Sequence, residues 1–483
     1  MKNSTILALA LGGIVSGLSA QTFVPAGSLG SSQTWDTAND PYILEGAVFV
    51  DGGDTLTILP GTVIRGQPRT GPIDNVANDP GSLVVAQDGT IEAAGTREDP
   101  IIFTTAAIDN NNDKIADGDG SFLTAYSAGD TFLDATPESS VLPQVAPGNL
   151  PRLQIGSSSQ DGNVALWGGV IILGNAPTNV NDVAPGLAEV EGLPAAFNAQ
   201  YGGNFPNDNS GTLEFVSIRY GGDVIGAANE INGLTLAGVG RGTTISYVEV
   251  YQNWDDGVEW FGGTVDADHL AVTFVGDDSL DGDQGFTGTT QFAVVVQATE
   301  NIGSGGGDKP FEFDGEDGTN ASDSNIDSNL DVTPFPSYQV SHFTVVGNGG
   351  GYIRLRNGFS GALYNGLVDN CTEAWQDQTP NPVVVQGVTW ASDTSAGVMG
   401  TDGNEVAADN QAAILGEVIL GDDLTGTDTL DLRPQPGFRI GAEVSVPKAL
   451  YESIGNRGAI REGAGVTWPA EWTALDLNDF NKG

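Results

Sequence analysis

Cysteine is almost absent from this sequence: Cys371 is the only one in 483 residues. An intramolecular disulfide is excluded, and so is any zinc or iron–sulfur site built on cysteines. Histidine is nearly as scarce, with 2 in the chain, His269 and His342. Both are expected to pack or sit on the surface rather than serve as an acid–base pair. Positive charge is the third shortage. Lys and Arg total 17 against 63 Asp and Glu, a formal net charge of -46. That field repels phosphate backbones and anionic lipid, so nucleic acid is excluded as a partner. After the first twenty residues no apolar run is long enough to span a bilayer as a helix. No phosphate loop, dinucleotide fingerprint or zinc spacing occurs.

What is present is glycine, at 69 residues, and enough apolar residues, 39%, to bury a sizeable core. The glycines lack the every-third-residue period of collagen. The abundant carboxylates have two compatible readings: solubility in a salty medium, and calcium binding by hard oxygen ligands. Residues 1–20 read as a signal peptide, with Lys2 followed by the apolar stretch Thr5 to Val15 and the small-residue end Gly17-Leu18-Ser19-Ala20. The expected location is secreted, at the cell surface, or periplasmic, with no transmembrane segment in the mature chain.

Short apolar runs recur between turn residues, which predicts an all-β repeat fold. Leu56-Thr57-Ile58 before Pro60-Gly61 aligns with Leu83-Val84-Val85 before Asp88-Gly89, 27 positions on from Leu56. Tyr247-Val248-Glu249-Val250, Leu270-Ala271-Val272-Thr273 and Phe292-Ala293-Val294-Val295 align at separations of 23 and 22. The pattern returns at Phe343 to Val346 and at Leu363 to Val368. Such spacings suit one coil of a parallel β-helix with about three short strands, whereas a propeller blade needs roughly 40 residues. An antiparallel sandwich is the alternative. The general preference for right-handed crossovers makes a right-handed solenoid the expectation. The helix is assigned to residues 21–386, with loop insertions near 105–160, 178–210 and 298–337. Residues 387–483 form a less regular C-terminal region, in which Trp468 and Trp472 are expected to cap the open end of the cylinder.

Several longer stretches carry a resemblance. Trp167-Gly168-Gly169-Val170-Ile171-Ile172-Leu173-Gly174-Asn175-Ala176-Pro177 is one. The region from Glu230-Ile231-Asn232-Gly233-Leu234 through Trp254-Asp255-Asp256-Gly257-Val258-Glu259-Trp260-Phe261-Gly262-Gly263 is the strongest. With Val190-Glu191-Gly192, Asp208 to Leu213, and Gly458-Ala459 with Trp468 and Trp472-Thr473, it resembles a family of uncharacterised, secreted, Gly-rich bacterial proteins with β-helix-like repeats. The resemblance spans roughly residues 42–475. It implies the cell envelope or exterior and supports the coil, and it assigns no catalytic residue.

Two groups of residues are candidate calcium ligands. Asp109, Asn111, Asp113 and Asp117 offer oxygens at loop positions 1, 3, 5 and 9. The run departs from the helix-loop-helix calcium pattern at Lys114, where glycine is usual, and at Gly120, where a bidentate Glu is usual. Asp255 and Asp256, with Glu259 beside them, fall about one coil before Asp277, Asp278, Asp281 and Asp283. Stacking brings so many like charges together that a cation is expected there. A third group is catalytic in character. Alternation leaves Glu259, Glu312, Arg354 and Arg356 outward on comparable strands, with Lys309 nearby, as in a polysaccharide lyase or glycoside hydrolase; a row of surface ion pairs explains the same pattern. The expected function is an acidic scaffold or binding protein, stabilised by calcium, that binds carbohydrate or mediates adhesion. The alternative is a polysaccharide-active enzyme using the Glu259/Glu312/Arg354 face.

Overall fold

The computed structural model describes residues 21–69, 79–108, 131–132, 164–180, 185–190, 193, 199–226, 229–297, 307, 309–315, 334, 336–371, 375–379 and 382–390, followed by short pieces at 404–406, 415–419, 429–434, 444–445, 452–454, 456–461, 467–470 and 472–474. Residues 1–20, expected to be a signal peptide, and the loop carrying Asp109, Asn111, Asp113 and Asp117 lie outside these residues.

The apolar runs are strands that stack in parallel, so the chain is an all-β parallel β-helix. Ten short strands form one sheet and seventeen form another. The larger sheet is folded lengthwise into two walls, giving the tube three. In the early coils those two walls are separate strands. Thr90–Ala94 pairs with Thr55–Ile58 on one wall, and Ile101–Thr105 with Val63–Gly66 on the next. Both then pair with the single strand Gly211–Arg219, whose residues Gly211 to Glu214 continue the first wall and Val216 to Ile218 the second. Phe215 is the hinge between them.

That hinge is one residue in the left-handed backbone region. Phe215 has φ 47, and the same place on later rungs is taken by Tyr247 (φ 52), His269 (φ 54), Phe292 (φ 62), His342 (φ 56) and Asn365 (φ 53). A left-handed residue between two extended stretches turns the strand onto the adjoining wall, at about 1–2 kcal/mol for each non-glycine residue. Ring stacking offsets this cost. Phe215 and Tyr247 have centroids 4.4 Å apart, and Tyr247 and His269 4.1 Å, each pair within 9° of parallel. His269 to Phe292 is 4.6 Å and Phe292 to His342 5.6 Å. Such pairs contribute about 0.5–1.5 kcal/mol beyond their burial.

The sequence alignment was one residue out at this hinge. Leu270 pairs with Val248, and Phe343 with Ala293, so Tyr247 stands between Phe215 and His269, and Phe292 follows His269 in the same column. Leu56 and Leu83, matched by spacing, stand on different walls: Leu56 pairs with Gln33 and Ile91, Leu83 with Val48 and Val170.

Inside the tube, strand alternation delivers columns of buried residues. Val258, Leu280, Phe311 and Ile353 form one, and Trp260, Gly282, Phe313 and Leu355 the next. Gly282 gives its neighbours room. A Cβ there would lie 3.1 Å from the Tyr338 ring and 3.4 Å from Phe313. The space is filled by Trp260, Phe286, Tyr338 and Phe313, with centroids 4.6–5.3 Å apart for Trp260–Phe286, Trp260–Tyr338 and Phe313–Tyr338.

The insertion expected at 178–210 holds an antiparallel hairpin, Leu187–Glu189 with Gln200–Gly202. Trp468 and Trp472, expected over the open end of the cylinder, lie on its flank instead. Trp468 packs edge-to-face on His269, and Trp472 on Phe215 and Tyr247. The described part of the C-terminal segment runs lengthwise along the flank, over the hinge column, because those ring edges are the apolar surface left outside the tube.

Candidate functional site

The ten-stranded wall is built from short strands whose inward residues are locked in the core, so their outward residues are held in columns at the rung spacing of about 4.8 Å. Register places Thr235, Glu259, Asp281, Glu312, Arg354 and Gln376 in one column, on consecutive rungs. Phe261 and Asp283 are rung-mates in the next, which Asp314 and Arg356 continue. Asp256, Asp278 and Lys309 lie just before these strands on successive rungs, as the backbone bonds from Gly257 to Asp278 and from Ser279 to Lys309 fix.

Acids fill one half of this wall and arginines the other. In the acidic half, Asp255, Asp256 and Asp277 each offer a carboxylate oxygen within 4.8 Å of the others, and so do Asp256, Glu259 and Asp281. Asp256 belongs to both groups. Its Oδ1 also accepts the Asp278 N–H at 2.9 Å, and Glu259 accepts from the Asn232 amide. Asp281 is half-buried, yet its Oδ1 is shielded from solvent and has no hydrogen-bond partner.

Burial and like charge push protons onto this cluster. Burial first, then the charges of Asp255 and Glu259, hold the Asp256 carboxyl well above the usual range. Burial and Asp255 do the same to Glu259. Burial and Glu259 do so to Asp281. The arginine half is neutralised internally. Arg356 Nε donates to both oxygens of Asp314, at 2.5 and 2.7 Å, and its other end pairs with Glu312. Arg354 reaches Glu312 at 3.3 Å. Burial raises the Asp314 carboxyl to about 6 despite Arg356. Burial lowers the Arg356 guanidinium, but Asp314 and Glu312 outweigh it and the net shift is upward. Lys309 is buried, with Nζ 4.9 Å above the Tyr352 ring.

The sequence-predicted residues therefore divide as follows. Glu259, Glu312 and Arg354 share a column, and Arg356 stands one column over. Lys309 lies on a rung with Glu312 but is engaged with Tyr352. Asp255, Asp256 and Asp277 converge, whereas Asp278 meets Asp256 through its backbone. Asp281, named in the sequence only as a neighbour, is the link between Glu259 and Glu312. Asp314 and Asn232 were missed. The alternation in Phe311-Glu312-Phe313-Asp314 signals Asp314 as outward; nothing local signals Asn232.

The donor set is all hard oxygen. A buried carboxylate oxygen without a donor, among like charges, fits a hard divalent cation such as calcium. A family model described as "Pectate-lyase like beta helix domain" matches residues 27–118 and 153–414. No curated protein and no solved structure matches the chain.

Proposed function

The chain belongs to the pectate-lyase-like β-helix family, and from that premise we propose that it is an exported acidic scaffold that binds an acidic polysaccharide through a calcium-loaded carboxylate wall. The observation that carries this reading is the pair of carboxylate groups joined at Asp256. Buried like charges at that separation strongly disfavour the fully ionised state unless a cation joins them. Asp256, Glu259 and Asp281 would hold the ion, with Asp255 and Asp277 extending the site through Asp256. Bound there, calcium supplies positive charge and open coordination for sugar carboxylates and hydroxyls.

The chain's own residues define the rest. A formal net charge of -46 repels a polyanion, so affinity depends on neutralising this wall. Arg354, on the same column two rungs beyond Asp281, offers the adjoining positive group. Calorimetric titration of polygalacturonate into the protein tests the reading. Binding is expected in calcium and absent in chelator. Equal binding in both, or none in either with an intact fold, overturns it.

A second reading, a polysaccharide lyase on the same wall, is favoured by the acid–arginine column. Binding is preferred because Arg356 is clamped by Asp314 and its proton is held more tightly, which suits anion contact rather than proton abstraction. Unsaturated ends appearing with the native protein and vanishing in Arg354→Gln, followed by ultraviolet absorbance, would reverse that preference. Export rests on residues 1–20, and N-terminal sequencing of protein recovered outside the cytoplasm checks it.

A further inference from the structure

The C-terminal segment from Glu452 to Ala474 lies beyond the matched family domain, yet apart from Glu452, Ser453 and Arg461 its described residues are buried or half-buried. Ile460, Thr467 and Trp472 are at most 1% exposed. Among the described residues this segment adds no strand to either large sheet. It is held instead by side chains of the flank that bond its backbone. Gln291 donates to the Glu452 carbonyl at 2.7 Å and accepts the Glu452 N–H at 2.9 Å. Upstream of the segment, Asn365 makes the same two-way clamp on Val444, at 3.0 and 2.8 Å. Thr344 Oγ1 accepts the Ala459 N–H, and Arg97 donates to the Ala470 carbonyl at 2.8 Å. At the far end the fully buried Glu249 accepts the Ala474 N–H at 2.8 Å.

These are the contacts of a bound peptide. Amide clamps read the backbone, while two indoles read the hinge column. Trp472 Nε1 donates to the Trp468 carbonyl at 2.8 Å, one helical turn back. A helical turn rises about 5.4 Å, close to the rung spacing of about 4.8 Å. The two indoles thus straddle adjacent pairs of rungs: Trp468 lies on His269 at 5.2 Å and Tyr247 at 6.4 Å, and Trp472 on Tyr247 at 6.5 Å and Phe215 at 5.5 Å, all near perpendicular.

We propose that this flank is a peptide-recognition groove whose ligand is the chain's own segment 452–474, docking as a separable latch on a coil already wound. From Arg457 onward the direction fits. Arg457 bonds Thr389, Ala459 bonds Thr344, Trp468 lies on His269 and Trp472 on Phe215, running back against the growth of the coil before Ala474 closes on Glu249. Rungs of a solenoid otherwise touch only their neighbours, so the latch couples coils that are far apart.

The test uses the full chain with a protease site inserted between residues 446 and 451, folded first and then cut. The fragment is expected to stay bound, to leave at a denaturant concentration below that which unwinds the coil by circular dichroism, and to be replaced by a labelled synthetic peptide of residues 452–474. The same peptide carrying Trp468→Ala and Trp472→Ala should bind roughly a hundredfold more weakly or worse. A fragment that leaves only as the coil unfolds overturns the proposal, as does equal binding of the two peptides. Should cutting unfold the protein, native-state hydrogen exchange on the uncut chain decides. Amides at 456–461 and 472–474 opening before those of Val248 and Leu270 support the latch, and opening together overturns it.

Discussion

The carboxylate wall and the hinge column are made by the same device and have opposite energetics. In both, register stacks one outward position rung upon rung, so whatever side chain stands there is multiplied. At Phe215, Tyr247, His269 and Phe292 the multiplied group is a flat ring, and each neighbour adds favourable contact. At Glu259, Asp281 and Glu312 it is a carboxylate, and each neighbour adds repulsion. One column holds the fold together and the other is held together by it. That repulsion is the cost which, in the proposed function, a bound cation would relieve.

The largest expected effect lies on the stabilising side. Trp472 is fully buried against two rings of the hinge column. Trp472→Ala should cost about 3–5 kcal/mol in denaturant unfolding. A loss below about 1 kcal/mol would mean the rings need no cover, and the contrast between the columns would be lost.

The pH dependence of the carboxylate wall should come next. Asp314 titrates near 3.8 unfolded and at about 6 folded. Its folded form binds more protons between those values, so its contribution to stability is full below the lower value and lost as pH rises through the upper. Asp256, Glu259 and Asp281 shift in the same direction. In chelator, stability should fall between about pH 4 and pH 7, by roughly 3 kcal/mol from Asp314 alone. Calcium should abolish or reverse the part of that fall that comes from Asp256, Glu259 and Asp281, and leave the Asp314 part. A flat profile in chelator would sink the claim that this wall is electrostatically strained.

Removing one charge sharpens the same point. Asp281→Asn should stabilise the calcium-free protein by roughly 1–3 kcal/mol while erasing most of the rise in melting temperature that calcium gives. A mutation that stabilises the apo fold and removes the ligand response is expected only of a column whose cost is functional. If Asp281→Asn destabilises in chelator, the carboxylate is instead a structural acceptor.

Much of this was legible in the sequence, and the failures have physical causes. Val258, Trp260, Phe311, Phe313, Ile353 and Leu355 alternate cleanly, so Glu259, Glu312 and Arg354 could be put outward on successive coils. Leu280-Asp281-Gly282-Asp283 hides its membership because the second inward residue is glycine, leaving space for rings supplied by Phe286 and Tyr338. The register slip at Tyr247 arises because one left-handed residue interrupts the two-residue period, and no propensity announces such a residue when it is aromatic. The spacing of Leu56 and Leu83 matched strands of different walls, since coil length varies with each insertion. The lengthwise course of Trp468 and Trp472 depends on contacts more than two hundred positions away at Phe215 and Tyr247, which no local pattern encodes.

The smallest expected effect on stability separates the two arginines. Arg354 is one-fifth exposed and meets Glu312 at 3.3 Å. Arg356 grips both oxygens of Asp314 and also Glu312. Arg356 is as exposed, so the number of contacts separates them: losing the single Glu312 contact in Arg354→Gln should cost under about 1 kcal/mol, because Arg356 still neutralises Glu312. Arg356→Gln leaves Asp314 and Glu312 facing each other and should cost more. Polygalacturonate affinity should rank them in the opposite order: Arg354, on the column of Glu259 and Asp281, should lose several-fold in calcium, and Arg356, occupied by Asp314, should lose less. If both assays rank the arginines alike, the wall is a set of structural ion pairs, and the difference between the two columns lies in charge alone.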